Sequence, residues 1–152
     1  MSRAWSIRAA DEHDADVLAT LRTALWPDAD RAEHLLEVRR SFEESARSCT
    51  FLAIDSTRTV VGFAEAAVRV DPVNGTDASP VGFLEGLYIL PAWRRHGVGR
   101  ALVNAVEQWT RARGCFELAS DALLDNRDSH AAHAAYGFEE TERVVYFRKR
   151  LD

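Results

Sequence analysis

Cysteine is scarce in this chain. Cys49 and Cys115 are the only two, far apart and outside any metal-ligand spacing, which excludes a disulfide scaffold and fits two free thiols in a reducing cytoplasm. The histidines His13, His34, His96, His130 and His133 show no spacing such as His-Glu-x-x-His, so no metal is expected. A basic surplus is missing as well. With 24 acidic against 19 basic residues the formal charge is −5, which argues against a groove for nucleic acid. An acidic balance suits a cationic partner, or simple solubility. No apolar run is long enough to span a bilayer, so no membrane is expected. Met1 to Ala10 lacks a basic stretch followed by an apolar core, so no leader is expected either. Internal repeats, low-complexity tracts and interdomain linkers are absent, and 152 residues fit one domain, residues 1–152.

What is present is a regular alternation of periods. Trp5-Ser6-Ile7-Arg8-Ala9 alternates as a half-buried strand does. Asp11 offers an N-cap to a helix with Val17, Leu18, Leu21, Leu25 and Trp26 on one face, and Pro27 stops it. A second helix is expected from about Asp30 to Arg47. Phe51 to Ile54 and Val60 to Val70 read as strands joined by a polar turn. Asp71 to Asp77 is a loop, and Val81 to Leu90 is a third long strand ended by Pro91. A helix from Val98 to Arg113 carries Val98, Ala101, Leu102, Ala105, Val106 and Trp109 at helical spacing, with Gly114 as its stop. A short strand at Phe116 to Ser120 and a helix near Ser129 to Tyr136 follow. Two last strands are expected at Phe138 to Thr141 and Arg143 to Arg150. The order βααβββαβαββ implies one mixed α/β layer structure.

Arg94-Arg95-His96-Gly97-Val98-Gly99 lies between the end of a strand and the start of a helix. Glycines there admit close backbone approach, and the first helical turn offers unpaired N–H groups and partial positive charge. A pyrophosphate fits such a place, with Arg94, Arg95 and Arg100 adding attraction. A plain tight turn has the same glycines. Neither Gly-x-x-x-x-Gly-Lys nor Gly-x-Gly-x-x-Gly is present.

Arg94-x-x-Gly97-x-Gly99 after a strand resembles the phosphate loop of the GCN5-related N-acetyltransferases. Asn126 and Gly137-Phe138-Glu139 are similar to the next block of that superfamily, and the element order matches it along nearly the whole chain. Further blocks resemble the bacterial aminoglycoside 6′-N-acetyltransferases: Leu25-Trp26-Pro27-Asp28, Val73-Asn74-Gly75-Thr76, Ser79 to Gly86, Ala119-Ser120-Asp121 and Gly137 to Val144.

The resemblance implies a mixed, mostly antiparallel sheet flanked by helices, acetyl-coenzyme A as acetyl donor, and transfer to the 6′-amine of an aminoglycoside. It implies Leu87, Ile89, Arg94, Arg95, His96, Gly97, Val98, Gly99, Arg100 and Asn126 at the coenzyme, and Trp26, Asp28, Glu85, Asp121 and Glu142 at the acceptor. A homodimer is implied too; the apolar run Val144-Val145-Tyr146-Phe147 offers it a surface, with the core of one subunit as the equal alternative. Direct attack by an amine requires its proton to be lost, since an alkylammonium has a pKa of about 10. Carboxylates serve twice, binding the cation and accepting its proton through water. Glu85 interrupts an apolar strand and Asp121 ends the next one; the resemblance implies that both contact the acceptor's amino groups and that Asp121 is the stronger candidate base. As structural alternatives, Glu85 is a solvated edge carboxylate and Asp121 a turn residue.

Where many members of the superfamily place a proton-donating Tyr, four residues before the Gly-Phe pair, this chain has His133, and Tyr136 directly precedes Gly137. His133 is the candidate acid toward the thiolate; the alternatives are a thiolate that leaves without a proton donor and a structural histidine. Pro72 stands where relatives often carry Tyr. Ser120 lacks a Gly-x-Ser-x-Gly elbow, so a hydrolase triad is not expected. Two other functions compete: acetylation of a different amine, and a non-catalytic acetyl-coenzyme A sensor.

Overall fold

The computed structural model describes residues 4–152, so the first three residues of the N-terminal segment lie outside the described residues. Its elements run β1 (Trp5–Ala9), α1 (Ala15–Leu25), α2 (Arg31–Glu43), β2 (Ser48–Asp55), β3 (Val60–Arg69), β4 (Val81–Ile89), α3 (Val98–Ala112), β5 (Leu118–Ala119) and α4 (Arg127–Ala135). The five strands among the described residues form one sheet in the order β1-β2-β3-β4-β5. The first three pairings are antiparallel, and β4 pairs β5 in parallel.

Helices cover both faces of the central strands, because β2, β3 and β4 carry buried residues toward both. On one face Val98, Leu102, Val103 and Val106 of α3 pack on Ala53, Val61, Ala64 and Leu84. On the other, Leu18 and Leu21 of α1 and Val38 of α2 pack on Leu52 and Phe63. Gly82 lets α3 approach the sheet: a Cβ there would lie 2.5 Å from Thr110 Cγ2.

Local signals explain the helix starts. Asp11 caps a short 3₁₀ turn, Glu12–Asp14, in a reciprocal capping box with Asp14, and α1 follows from that turn. Asp30 Oδ1 accepts the Glu33 N–H at 2.8 Å and caps α2. That helix ends at Glu43, four residues short of expectation, and Ser48 to Thr50 join β2 instead. The reason is long-range: Ser48, Cys49 and Thr50 find ladder partners in Ala67, Ala66 and Glu65.

One expectation fails outright. No strand forms at Phe138 to Thr141 or at Arg143 to Arg150, where the chain is irregular and its side chains are almost all exposed. A strand needs a hydrogen-bonded neighbour, and the sheet ends at β5, two residues long. Val144 to Phe147 are moreover consecutive apolar residues rather than alternating ones, so neither face of such a strand would be the buried one. Phe116, expected in β5, is 93% exposed and outside it.

Candidate active site

β4 and β5 pair only at Gly82↔Leu118 and Phe83↔Ala119. Beyond those two residues the strands part, and β4 runs on to Ile89 with an open edge. Backbone groups alternate in direction along a strand. Leu90 N–H points inward to the Val61 carbonyl of β3 at 2.9 Å, so Leu87 and Ile89 present theirs to the open edge. The Ile89 carbonyl shows this, accepting Arg94 Nε at 2.9 Å.

Beneath that edge lies the phosphate loop. Arg95 (φ 65°) and Gly97 (φ 82°) are both left-handed, which turns the chain sharply into α3. Gly97 occupies the N-cap with no side-chain cap, leaving the first-turn N–H groups of Val98, Gly99 and Arg100 unclaimed by side chains. A cavity of about 180 Å³ sits there, lined by Ile89, Trp93, Arg94, Arg95, Gly97 to Arg100 and Tyr136. Gly99 is needed for its shape: a Cβ there would collide with Tyr136 Oη. Unpaired amides, a helix N-terminus and arginines at one small cavity fit a pyrophosphate. His96 lies edge-on to Trp93, ring centroids 6.3 Å apart. Arg100 Nη2 donates to the Ala135 carbonyl and ties α4 to the loop. Asn126, expected at the coenzyme, caps α4 by accepting the Ser129 N–H at 3.2 Å.

A larger cavity, about 490 Å³, opens on the face of β2, β3 and β4 below α1 and α2. Glu85 and Trp26 both line it. Glu85 reaches it through a bulge. Glu65 pairs with Gly86 and Ala66 with Leu84, so Glu85 is the extra residue of β4, re-aimed as bulged residues are. Arg69 holds it, Nη2 lying 2.9 and 3.0 Å from its two oxygens. Arg69 itself stacks on Phe83 at 3.5 Å.

Trp26 is fixed on several sides. Arg22 lies 4.9 Å over its ring, His34 stacks on it, and its far edge fills the space that a Gly86 side chain would take. Arg22 is 7% exposed and ion-paired to both Glu65 and Glu37. Arg22 Nε donates to His34 Nδ1 at 3.3 Å, and His34 Nε2 donates to the Trp26 carbonyl at 2.9 Å. These two roles fit a neutral imidazole carrying its proton on Nε2. Burial pushes the Glu65 carboxyl above its ordinary range; Arg22 opposes that, while Glu85 and Glu37 add to it. Cys49, also on this wall, has its thiol pushed up to about 12 by burial, so at neutral pH it is no thiolate nucleophile.

The remaining expected residues fall around this frame. Asp121 stands two residues after the end of β5 and is exposed, past the point where β4 and β5 separate. Ser120 Oγ stands 2.7 Å from His133 Nε2 and 3.3 Å from the Leu84 carbonyl. His133 Nδ1 donates to the Ser129 carbonyl at 2.7 Å, so both its ring nitrogens have protein partners. Asp28 is exposed on the link between α1 and α2. Glu142 lies beside the loop that joins β3 to β4, where a Cβ on Gly75 would collide with Thr141 Oγ1 and come within 4.0 Å of Glu142 Cβ. Sequence reasoning missed Arg22, Glu37, Glu65 and His34 as pocket residues, and Tyr136 at the phosphate loop. An arginine and a histidine on the apolar faces of two helices were the available signal.

Chemically the two cavities can hold an anion under α3 and a cation between α2 and β4, with the open edge of β4 between them. Residues 16–138 match the Acetyltransferase (GNAT) family. An aminoglycoside N(6′)-acetyltransferase type 1 from Stenotrophomonas maltophilia is 53% identical over 152 residues, all of this chain and 97% of the relative. The crystal structure of the aminoglycoside antibiotic 6′-N-acetyltransferase AAC(6′)-Ih from Acinetobacter baumannii superposes with a TM-score of 0.91 at 44% identity, covering 98% of this chain and 100% of that one. The structure of AAC(6′)-Iy in complex with the bisubstrate analog CoA-S-monomethyl-acetylneamine gives 0.90 at 39% identity, covering 97% and 99%. Shared sequence and shared fold lead to one conclusion: this chain belongs to the GNAT acetyltransferase family.

Proposed function

We propose that this protein transfers the acetyl group of acetyl-coenzyme A to the 6′-amine of aminoglycosides and so confers resistance to them. The observation that carries the reading is the joining of two unlike cavities by an unpaired strand edge. Acetyl-coenzyme A supplies an activated thioester whose pyrophosphate suits the loop Arg94 to Arg100 and whose pantetheine amides suit the outward backbone N–H groups of Leu87 and Ile89. Tyr136 and Ile89 wall that side.

On the other side Trp26 offers a flat face to a sugar ring, and Glu85, Glu142 and Asp28 attract ammonium groups. Asp121 accepts the proton that the ammonium must lose, directly or through one water. The freed amine attacks the thioester carbonyl, a C–N bond forms and the C–S bond breaks. The electron pair leaves on sulfur, which takes up one of the two protons given up by the ammonium and ends as a thiol; the other passes to solvent, and Asp121 returns to its carboxylate form. His133, bound at both nitrogens, fixes Ser120 and thereby the turn that carries Asp121. Holding both reactants is the main catalytic device. A second copy of the chain covers the apolar C-terminal run, in which Val145, Tyr146 and Phe147 are 66%, 87% and 93% exposed.

Thiol release from acetyl-coenzyme A should be followed across paired aminoglycosides bearing a 6′-amine or a 6′-hydroxyl, with polyamines and peptides alongside. Turnover confined to the 6′-amines is expected. Turnover only on other amines overturns the acceptor, and coenzyme binding with no turnover at all overturns the enzyme.

A further inference from the structure

Ser120 stands at the fork of the sheet. β5 ends at Ala119, whose rung to Phe83 is the last between β4 and β5. Just past it, Ser120 Oγ reaches the Leu84 carbonyl at 3.3 Å, a side chain in place of a rung. The open edge of β4 starts there and runs to Ile89, which lines the cavity of the phosphate loop. From Leu84 to Ile89 is five residue steps, about 16 Å at strand rise. A pantetheine arm, about a dozen bonds from phosphate ester to sulfur, spans about 14 Å when extended. An arm anchored at the loop and laid along the edge therefore brings its sulfur to the fork.

Behind Ser120 runs a line of hydrogen bonds. Ser120 Oγ is 2.7 Å from His133 Nε2, and His133 Nδ1 is 2.7 Å from the Ser129 carbonyl. Each end of the line is a carbonyl oxygen, which only accepts. Leu84 takes the Ser120 hydrogen, so Nε2 gives one to Ser120 Oγ, and Ser129 takes the hydrogen of Nδ1. Both ring nitrogens then donate, which is the imidazolium form. The ring is met by Ser120, by Ser129 and by the edge of Phe138, ring centroids 5.1 Å apart, all of them neutral. Of the ionisable groups around it, Asp121 adjoins Ser120 in the chain, and His130, one turn earlier on α4, is bound to the Leu123 carbonyl at 2.9 Å. Nε2 is covered by Ser120, so a proton from His133 reaches the fork only through that hydroxyl.

We infer that Ser120 is the acid that protonates the departing thiolate, with His133 behind it as the residue that restores its proton. This rests on the reading that acetyl-coenzyme A lies along β4 and gives up its acetyl group there. As the C–S bond breaks, its electron pair stays on sulfur. The Ser120 O–H bond breaks and an S–H bond forms; the Nε2 proton passes to Ser120 Oγ and restores the hydroxyl. His133 recovers a proton from solvent, which has received those of the ammonium. Over a whole turnover sulfur therefore holds one of the two protons that the ammonium gave up.

The test follows acetyl transfer to neamine in a single turnover, with enzyme in excess over acetyl-coenzyme A, in wild type, Ser120→Ala, His133→Gln and the double variant. Gln sets an amide N–H where Nε2–H stood, so it still holds Ser120, but it has no proton to give. Each single variant should slow transfer by about 100-fold, the low end for positioned proton transfer because a thiolate is only a moderate base. The double variant should be no slower than the singles, since the two residues act as one unit. Kd for acetyl-coenzyme A should stay within about threefold. Wild-type transfer should slow at high pH with the midpoint at which nitrogen NMR of the free enzyme shows the Nε2 proton lost, and both single variants should lack that limb. Transfer within about threefold of wild type in Ser120→Ala or in His133→Gln overturns the inference. So does an Nε2 that carries no proton at any pH where the enzyme turns over. A wild type that does not bind acetyl-coenzyme A would instead sink the coenzyme reading itself.

Discussion

Gly86→Ala is the smallest change that tests how the acceptor platform is built. The new methyl carbon would collide with Trp26 Cη2, lying 2.8 Å from Cζ2 and 3.3 Å from Leu25 Cδ2 as well. Real carbons do not approach so closely, so the indole or β4 has to move. The indole has little room, since Arg22 and His34 hold it from the other side and Gly86 lies in a paired strand. Overpacking of this kind costs about 1–3 kcal/mol. For a chain of this size that lowers Tm by roughly 2–12 °C. If Trp26 carries the sugar ring, KM for the acceptor rises while KM for acetyl-coenzyme A holds. Trp26→Phe removes Cη2 and Cζ2, so in that background the added cost of Gly86→Ala should shrink by about 0.5–3 kcal/mol, the coupling expected of touching residues. Thermal unfolding and the thiol-release assay read both quantities. Unchanged Tm and unchanged acceptor KM in Gly86→Ala, or additive costs in the double variant, would refute the packing argument.

Two more outcomes follow from local geometry. Gly97→Ala has space, its nearest neighbour being Trp5 Cζ2 at 3.7 Å, but φ 82° is costly for any residue with a Cβ. About 1–2 kcal/mol of strain, roughly 2–8 °C in Tm, should appear together with a higher KM for acetyl-coenzyme A and an unchanged acceptor KM. Arg8 donates to both oxygens of Asp14 at 2.8 Å and holds its carboxyl below the usual range. The folded protein therefore binds that proton less readily than the unfolded chain. The pair's stabilisation is present above about pH 4 and fades as pH falls through the lowered value. The Tm deficit of Asp14→Asn should accordingly be full at pH 7 and diminish toward pH 3.5; a deficit constant with pH would contradict the pairing.

How much of this was visible in the residues depends on range. Capping at Asp11, the stop at Gly114 and the apolar face of α3 are local, and they fixed those elements to within a few residues. The phosphate loop was legible for the same reason, as glycines, arginines and a helix start within seven positions. Glu85 was visible as a charge in an apolar strand, yet its bulge was not, because a bulge exists only relative to β3. Arg22 and Glu65 are 43 positions apart, and nothing local joins them. The two C-terminal strands went wrong by the converse route: β-forming residues were present, but strand formation belongs to a pair, and β5 offers two residues of partner.

That short pairing has a design consequence. The cleft of this enzyme consists of hydrogen bonds left unmade along β4. Any stabilisation programme that rewards backbone pairing will be drawn to zip β5 further up β4, since each added rung gains stability and covers exposed polar groups. The product would be a tougher protein with its reaction chamber sewn shut. Thermostable variants of this chain should therefore be sought in α3 and the β1–β3 side of the sheet, with the seam after Phe83 and Ala119 kept open.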